Sequence, residues 1–221
     1  MSWFVFILSR YPIHKLELPM AYGNHCLAIV TLVPCRRRRT YANPAIIPSQ
    51  NHVNNVTYIR YAESARINWA YNYAIHHDPL NRAFWSELWT PRGDGLILRS
   101  MKTDYKFPMT WPDKISVFHK LRYLPKPEDT SFVLDVVILS EGQRRVAARC
   151  EEDIVVYDYK RGEKIAIREF MMRAFEKTWR DQREEEEWVR RRVEEVEGVV
   201  RELERGCWDK EGAVEDLGGG R

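Results

Sequence analysis

The sequence predicts an α+β fold in which one long helix precedes an antiparallel sheet and a second, charged helix follows it. Three observations carry this. Residues 52–77 contain neither Pro nor Gly, and Val56, Ile59, Ala62, Arg66, Trp69 and Tyr73 recur at steps of three and four, the period of a helix face. Between Leu96 and Tyr159 lie four runs rich in β-branched and aromatic residues, separated by turn-forming sequence. From about Ile167 to Arg205 the chain is heavily charged and helical in period.

Length and composition bound the rest. A chain of 221 residues can bury a substantial core, and 44% hydrophobic against 30% charged residues excludes both a disordered chain and one embedded in a membrane. Its apolar runs, 3–8 and 27–33, are one strand long, far short of the roughly 18–20 residues of a spanning helix. Cys26, Cys35, Cys150 and Cys207 are too widely spaced for a Cys-x-x-Cys metal or redox motif, so no metal and a reduced intracellular protein are expected.

The net charge of +3 is unevenly spread. Up to Ala62 the bases Arg10, Lys15, Arg36, Arg37, Arg38, Arg39 and Arg60 face a single acid, Glu17. A basic, acid-poor start is the composition of an organellar presequence, and a mitochondrial address is expected, with the cytoplasm as the alternative. A secretory signal fits less well, since no charge precedes the 3–8 run and no small-residue cleavage site follows it.

In order along the chain, residues 1–45 form a basic segment broken by prolines, a presequence or a divergent first strand. Asn54 and Asn55 suit a helix start, because an amide side chain accepts from first-turn N–H groups, and Asp78-Pro79 suits its end. A short helical segment at 80–87 and a loop at 90–95 follow. The strands are expected at 96–107, 115–123, 132–140 and 146–159; their short joins require antiparallel pairing. In the last helix, Val189, Val193, Val196, Val200 and Leu203 are spaced four, three, four, three, a heptad seam that fits either a short coiled coil or a surface helix with a charged outer face. Backward the seam reaches Trp179, Phe175 and Met172, interrupted by Gln182 and Glu186. Gly206 is the expected stop and 207–221 a flexible tail.

The sharpest local signal is His52-Val53-Asn54-Asn55, with Tyr58, Glu63 and Arg66 after it. It resembles the helix-start motif of hotdog-fold acyl-CoA thioesterases of the 4-hydroxybenzoyl-CoA thioesterase type, and residues 103–108 resemble that family's second strand and turn. The resemblance spans roughly 50–167. It implies a hotdog domain at 46–167, the long helix wrapped by the sheet, with the charged helix of 168–206 as an addition. It also implies an acyl-CoA substrate, CoA being part of the substrate and no separate cofactor being needed, and a homodimer in which two sheets become continuous.

Physics explains why such a helix start suits the chemistry. Exposed N–H groups and the positive end of the helix dipole polarise a thioester carbonyl and stabilise the oxyanion formed on attack. A carboxylate beside the carbonyl then acts as nucleophile or activates water. In the family an Asp commonly sits four residues before the His; here that position is Pro48, and no acid lies between Glu17 and Glu63. Three readings follow: Ser49 or Gln50 orients water, Glu63 supplies the carboxylate, or the chain does not hydrolyse thioesters and serves as a scaffold or assembly subunit. Glu63 is nine residues beyond Asn54, ~13 Å along a helix axis, which favours pairing with Arg66 or with the sheet instead. His52 can donate to a carbonyl or simply pack and cap.

Other candidates carry less. Lys120 and Arg122, with Arg144 and Arg145, are expected contacts for CoA phosphates. Arg36 to Arg39 beside Tyr41 read as a solvated loop, and nucleic acid is not an expected partner. His76-His77-Asp78 reads as a helix end rather than a metal site, because adjacent helical residues point in different directions. The departure from the family pattern upstream of Asn51 also fits a coding start that has replaced the authentic first strand, leaving residues 27–33 to cover the open sheet edge.

Overall fold

The computed structural model describes residues 33–34, 46–47, 52–110 and 112–207. In chain order the elements are β1 (Val33–Pro34), β2 (Ile46–Ile47), β3 (His52–Val53), α1 (Asn55–Asn72), a π-helical turn (Tyr73–His77), a 3₁₀ turn (Pro79–Asn81), α2 (Arg82–Glu87), β4 (Asp94–Tyr105), β5 (Lys114–Leu121), β6 (Ser131–Ser140), β7 (Arg145–Asp158), β8 (Glu163–Lys164) and α3 (Glu169–Cys207). The main sheet has the order β1-β5-β6-β7-β4, with β8 on β7, and every pairing is antiparallel. This is the expected hotdog architecture, a long helix on an antiparallel sheet with a C-terminal helix added. The expected meander of four strands is corrected at its start: β5, β6 and β7 are consecutive neighbours, but β4 pairs with β7, because the connection from Tyr105 to Lys114 carries the chain across the sheet to the far side of β6 instead of turning back beside β4. The four long strands fall within two residues of their expected positions.

The helix meets the sheet through Tyr58, Tyr61, Ala62, Ala65, Arg66, Trp69 and Ala70, all buried. The expected inward face is corrected at its start. Val56 and Ile59 are exposed, and Tyr58 and Tyr61 take the buried side. The cause lies in the Tyr58 hydroxyl, which accepts from the Met109 N–H at 2.9 Å and donates to the Phe107 carbonyl at 3.2 Å. Two main-chain partners beside the sheet fix which way the first turns face; a valine offers nothing comparable.

At its far end the helix widens by one residue per turn. Asp78 N–H reaches the Tyr73 carbonyl at 2.8 Å, an i to i−5 bond. Tyr73 stacks on Trp85 with centroids 4.6 Å apart, and its hydroxyl bonds Thr178 at 2.8 Å. Trp69, Phe132 and Phe175 complete this aromatic end of the core. The Asp78 carboxylate accepts from Asn81 and from the Trp85 indole N–H, so its role is to hold the turn into α2.

The chain divides into two compact units, with a division between Gln182 and Arg183. In the first unit the opening turns of α3 belong to the core: Met171, Met172 and Phe175 are buried. Gln182, an interruption in the heptad seam, accepts from the Leu121 N–H and donates to the Leu121 carbonyl, both at 3.0 Å, satisfying the end of β5. In the second unit, the described part of which is 183–207, α3 continues through Gly206 to Cys207. Gly206, the expected stop, is thus the last residue but one of the described helix.

Candidate active site

The site is built where α1 begins. Val53 is buried and its N–H bonds the Met109 carbonyl at 2.8 Å, which ties β3 to the segment after β4. Asn54 then has extended backbone angles (φ −61°, ψ 141°) and caps α1, its Oδ1 accepting from the Val56 N–H at 3.0 Å while its carbonyl accepts from Thr57 at 2.9 Å. Two of the first-turn amides are thereby used. The Asn55 N–H has no bond to any described residue, and it sits at the positive end of an 18-residue helix with no acid in its first turn. That amide is the donor available to a ligand oxygen.

Two tyrosines hold this start in place. Tyr105 donates to the Asn55 carbonyl at 3.2 Å and meets Tyr58 edge-on, centroids 5.3 Å apart. Burial raises the pKa of both phenols, so both remain protonated donors. Their participation is visible only in three dimensions, though Tyr58 belongs to the sequence motif.

His52 is half-buried, with Nδ1 3.0 Å from the Val53 carbonyl. A carbonyl can only accept, so Nδ1 carries the hydrogen, and in the neutral ring Nε2 keeps the lone pair of a base.

His52, Asn54 and Asn55 are thus brought together. Ser49 lies outside the described residues, as does Pro48. Glu63 is exposed and stands further along α1; its expected pairing with Arg66 is corrected, because Arg66 turns inward to Glu152 at 2.7 Å. Among the described residues no carboxylate bonds His52, Asn54 or Asn55. Arg122 is ion-paired with Glu151 and lies 3.7 Å from Asp135, and these carboxylates hold its pKa up.

The Arg66–Glu152 pair is the feature that sequence reasoning missed. Glu152 on β7 is fully buried between Arg66 on α1 and His119 on β5, whose Nε2 is 3.7 Å from the second carboxylate oxygen. Neither contact is an aligned hydrogen bond; Arg66 and Glu152 meet as an ion pair. An Arg at an inward helix position was the available signal.

A family model described as the thioesterase-like superfamily matches residues 48–175, more than half of the chain. The chain belongs to the thioesterase-like superfamily. Solved structures agree on the fold. The Staphylococcus aureus protein SAV2348, determined in complex with CoA, is 12% identical with a TM-score of 0.53, covering 73% of this chain and 89% of that one. A predicted thioesterase from Bacillus stearothermophilus is 16% identical with a TM-score of 0.52, covering 68% and 96%. The PA2801 protein of Pseudomonas aeruginosa is 17% identical with a TM-score of 0.51, covering 67% and 98%. No curated protein matches the sequence. The superfamily match ends at 175, so most of α3 is an addition to it.

Proposed function

We propose that this protein hydrolyses an acyl-CoA thioester at the start of α1. The observation that carries the proposal is the Asn55 N–H, left available by the Asn54 cap at a helix N-terminus that Tyr58 and Tyr105 hold in position. There the amide receives the thioester oxygen as it becomes negative. His52 Nε2 takes a proton from water, the hydroxide adds to the carbonyl carbon, and collapse breaks the C–S bond; the proton returns to the departing CoA sulfur. Superfamily membership and the CoA-bound fold relative support an acyl-CoA substrate. By the same resemblance the chain acts as a homodimer, pairing through β4, a long edge of the sheet among the described residues. The basic early sequence supports a mitochondrial location, which microscopy of a C-terminally tagged chain tests.

A second reading is favoured by one specific observation. Pro48 stands where the family commonly has Asp, which suits a catalytically silent assembly subunit. Release of free CoA thiol from short, long and aromatic acyl-CoAs separates the two. Turnover that falls about 10²–10⁴-fold in His52→Ala supports hydrolysis. No release from any of the panel leaves the assembly reading.

A further inference from the structure

The second half of α3 carries an apolar stripe that the active site does not use. Val196, Val199, Val200 and Leu203 are 49%, 57%, 44% and 63% exposed, and Val193 is half-buried. Val189 is already covered, so the open stripe begins at Val193. Steps of three and four in alternation average 3.5 residues, which keeps a stripe facing one partner helix over successive turns.

We propose that this stretch pairs in parallel with the same stretch of a second copy of the chain, as a two-stranded coiled coil. In heptad terms Val193 and Val200 occupy a, Val196 and Leu203 occupy d, and Gly198 falls at the outermost f, where a missing side chain removes nothing from the seam. β-Branched residues at a with Leu at d favour two parallel strands. Charge selects both the partner and the direction. Between 183 and 205 six arginines stand against nine glutamates, the wrong balance for an anionic membrane or a nucleic acid. Parallel pairing sets Arg192 at g against Glu197 at e of the other copy. Antiparallel pairing with the valine layers aligned sets Glu197 against Glu197. Arg192 holds Glu195 of its own helix at 2.8 Å, and a guanidinium with five donors serves both carboxylates. The open seam is short, so it adds to other contacts between the same copies through effective concentration.

Cys207 supplies a native probe, since by heptad count it is the next a position after Val200. Two a residues face each other in a parallel pair and can close a disulfide; in the antiparallel pair they lie at opposite ends, ~30 Å apart. The full chain is oxidised with copper phenanthroline and run on a non-reducing gel. The expected result is a covalent dimer that Cys207→Ser abolishes and the double variant Cys26→Ser/Cys35→Ser retains. Val196→Glu/Leu203→Glu, at exposed positions, lowers the yield at least tenfold with an unchanged circular dichroism spectrum. Absence of a Cys207 crosslink, a crosslink through another cysteine only, or a yield indifferent to Val196→Glu/Leu203→Glu would overturn the proposal. None of these readouts depends on thioester hydrolysis.

Discussion

Arg66, Glu152 and His119 illustrate what a single residue can and cannot announce. The Glu63-to-Arg66 spacing describes neighbours on a helix surface, and it pointed to a surface pair. The partner of Arg66 is instead 86 residues away on β7, fully buried, and a one-dimensional spacing rule has no access to it. A buried pair of this kind is worth little relative to a well-packed apolar pair, but removing one partner strands the other charge. Arg66→Met is therefore expected to destabilise the fold by about 3–5 kcal/mol. Adding Glu152→Leu is expected to restore most of it. Urea denaturation measures both, and a double variant no more stable than the single one would contradict this account. Nearby Cys150 is also buried, which pushes its thiol up to about 11, so its thiolate is scarce at pH 8. Peptide mapping after iodoacetamide treatment of the native chain should find Cys150 unmodified, and modified once the chain is unfolded.

At the scale of elements, the long helix and the four long strands were legible because each repeats its own period over many residues. What was not legible depends on partners distant in sequence. The two-residue strand β1 exists only by pairing Val33 with Ile115 and Pro34 with Lys114 at the β5 edge. The inward face of α1 was shifted by the main-chain partners of Tyr58, which no periodicity reports. Of the site, His52, Asn54 and Asn55 were readable as a cluster, while the Tyr105 contact and the choice of the Asn55 amide needed the fold. Tyr58→Phe leaves the Met109 N–H and the Phe107 carbonyl without their hydroxyl partner, and is expected to cost about 1–3 kcal/mol. It should also lower CoA release by loosening the helix start; full activity in that variant would show that the clamp does not position the amide. At the other end, burial first, then Lys177 and His76, lower the pKa of His77. The unfolded chain thus takes up a proton before the folded chain does, and stability falls as pH drops below the ordinary His value of about 6.5. His77→Gln should flatten that slope in urea titrations between pH 7 and 5; an unchanged slope would assign the effect elsewhere.

For the whole molecule, the sheet ends among the described residues at β4, twelve residues from Asp94 to Tyr105 with β7 as its one strand neighbour and the Leu96 N–H bonded to the Leu88 carbonyl. A long edge presents a row of unpaired N–H and C=O groups, and proteins either blunt such an edge or use it. β4 contains no Pro, and its one irregularity, between Leu98 and Ser100, leaves the run from Ser100 to Tyr105 in regular register with β7. This edge can therefore accept the same strand of a second copy and continue the sheet. Light scattering at micromolar concentration is expected to give twice the 26.3 kDa of the chain. The edge itself can be tested because successive N–H groups of a strand point to opposite sides. Of Met101→Pro and Lys102→Pro, one removes a donor to β7 and the other removes an outward donor while leaving the β4–β7 ladder intact. The second kind of variant should remain folded by circular dichroism and scatter as a monomer. Two folded dimers would place the contact away from β4. A folded monomer that still releases CoA at the wild-type rate would show that each protomer carries a complete site in the α1 start.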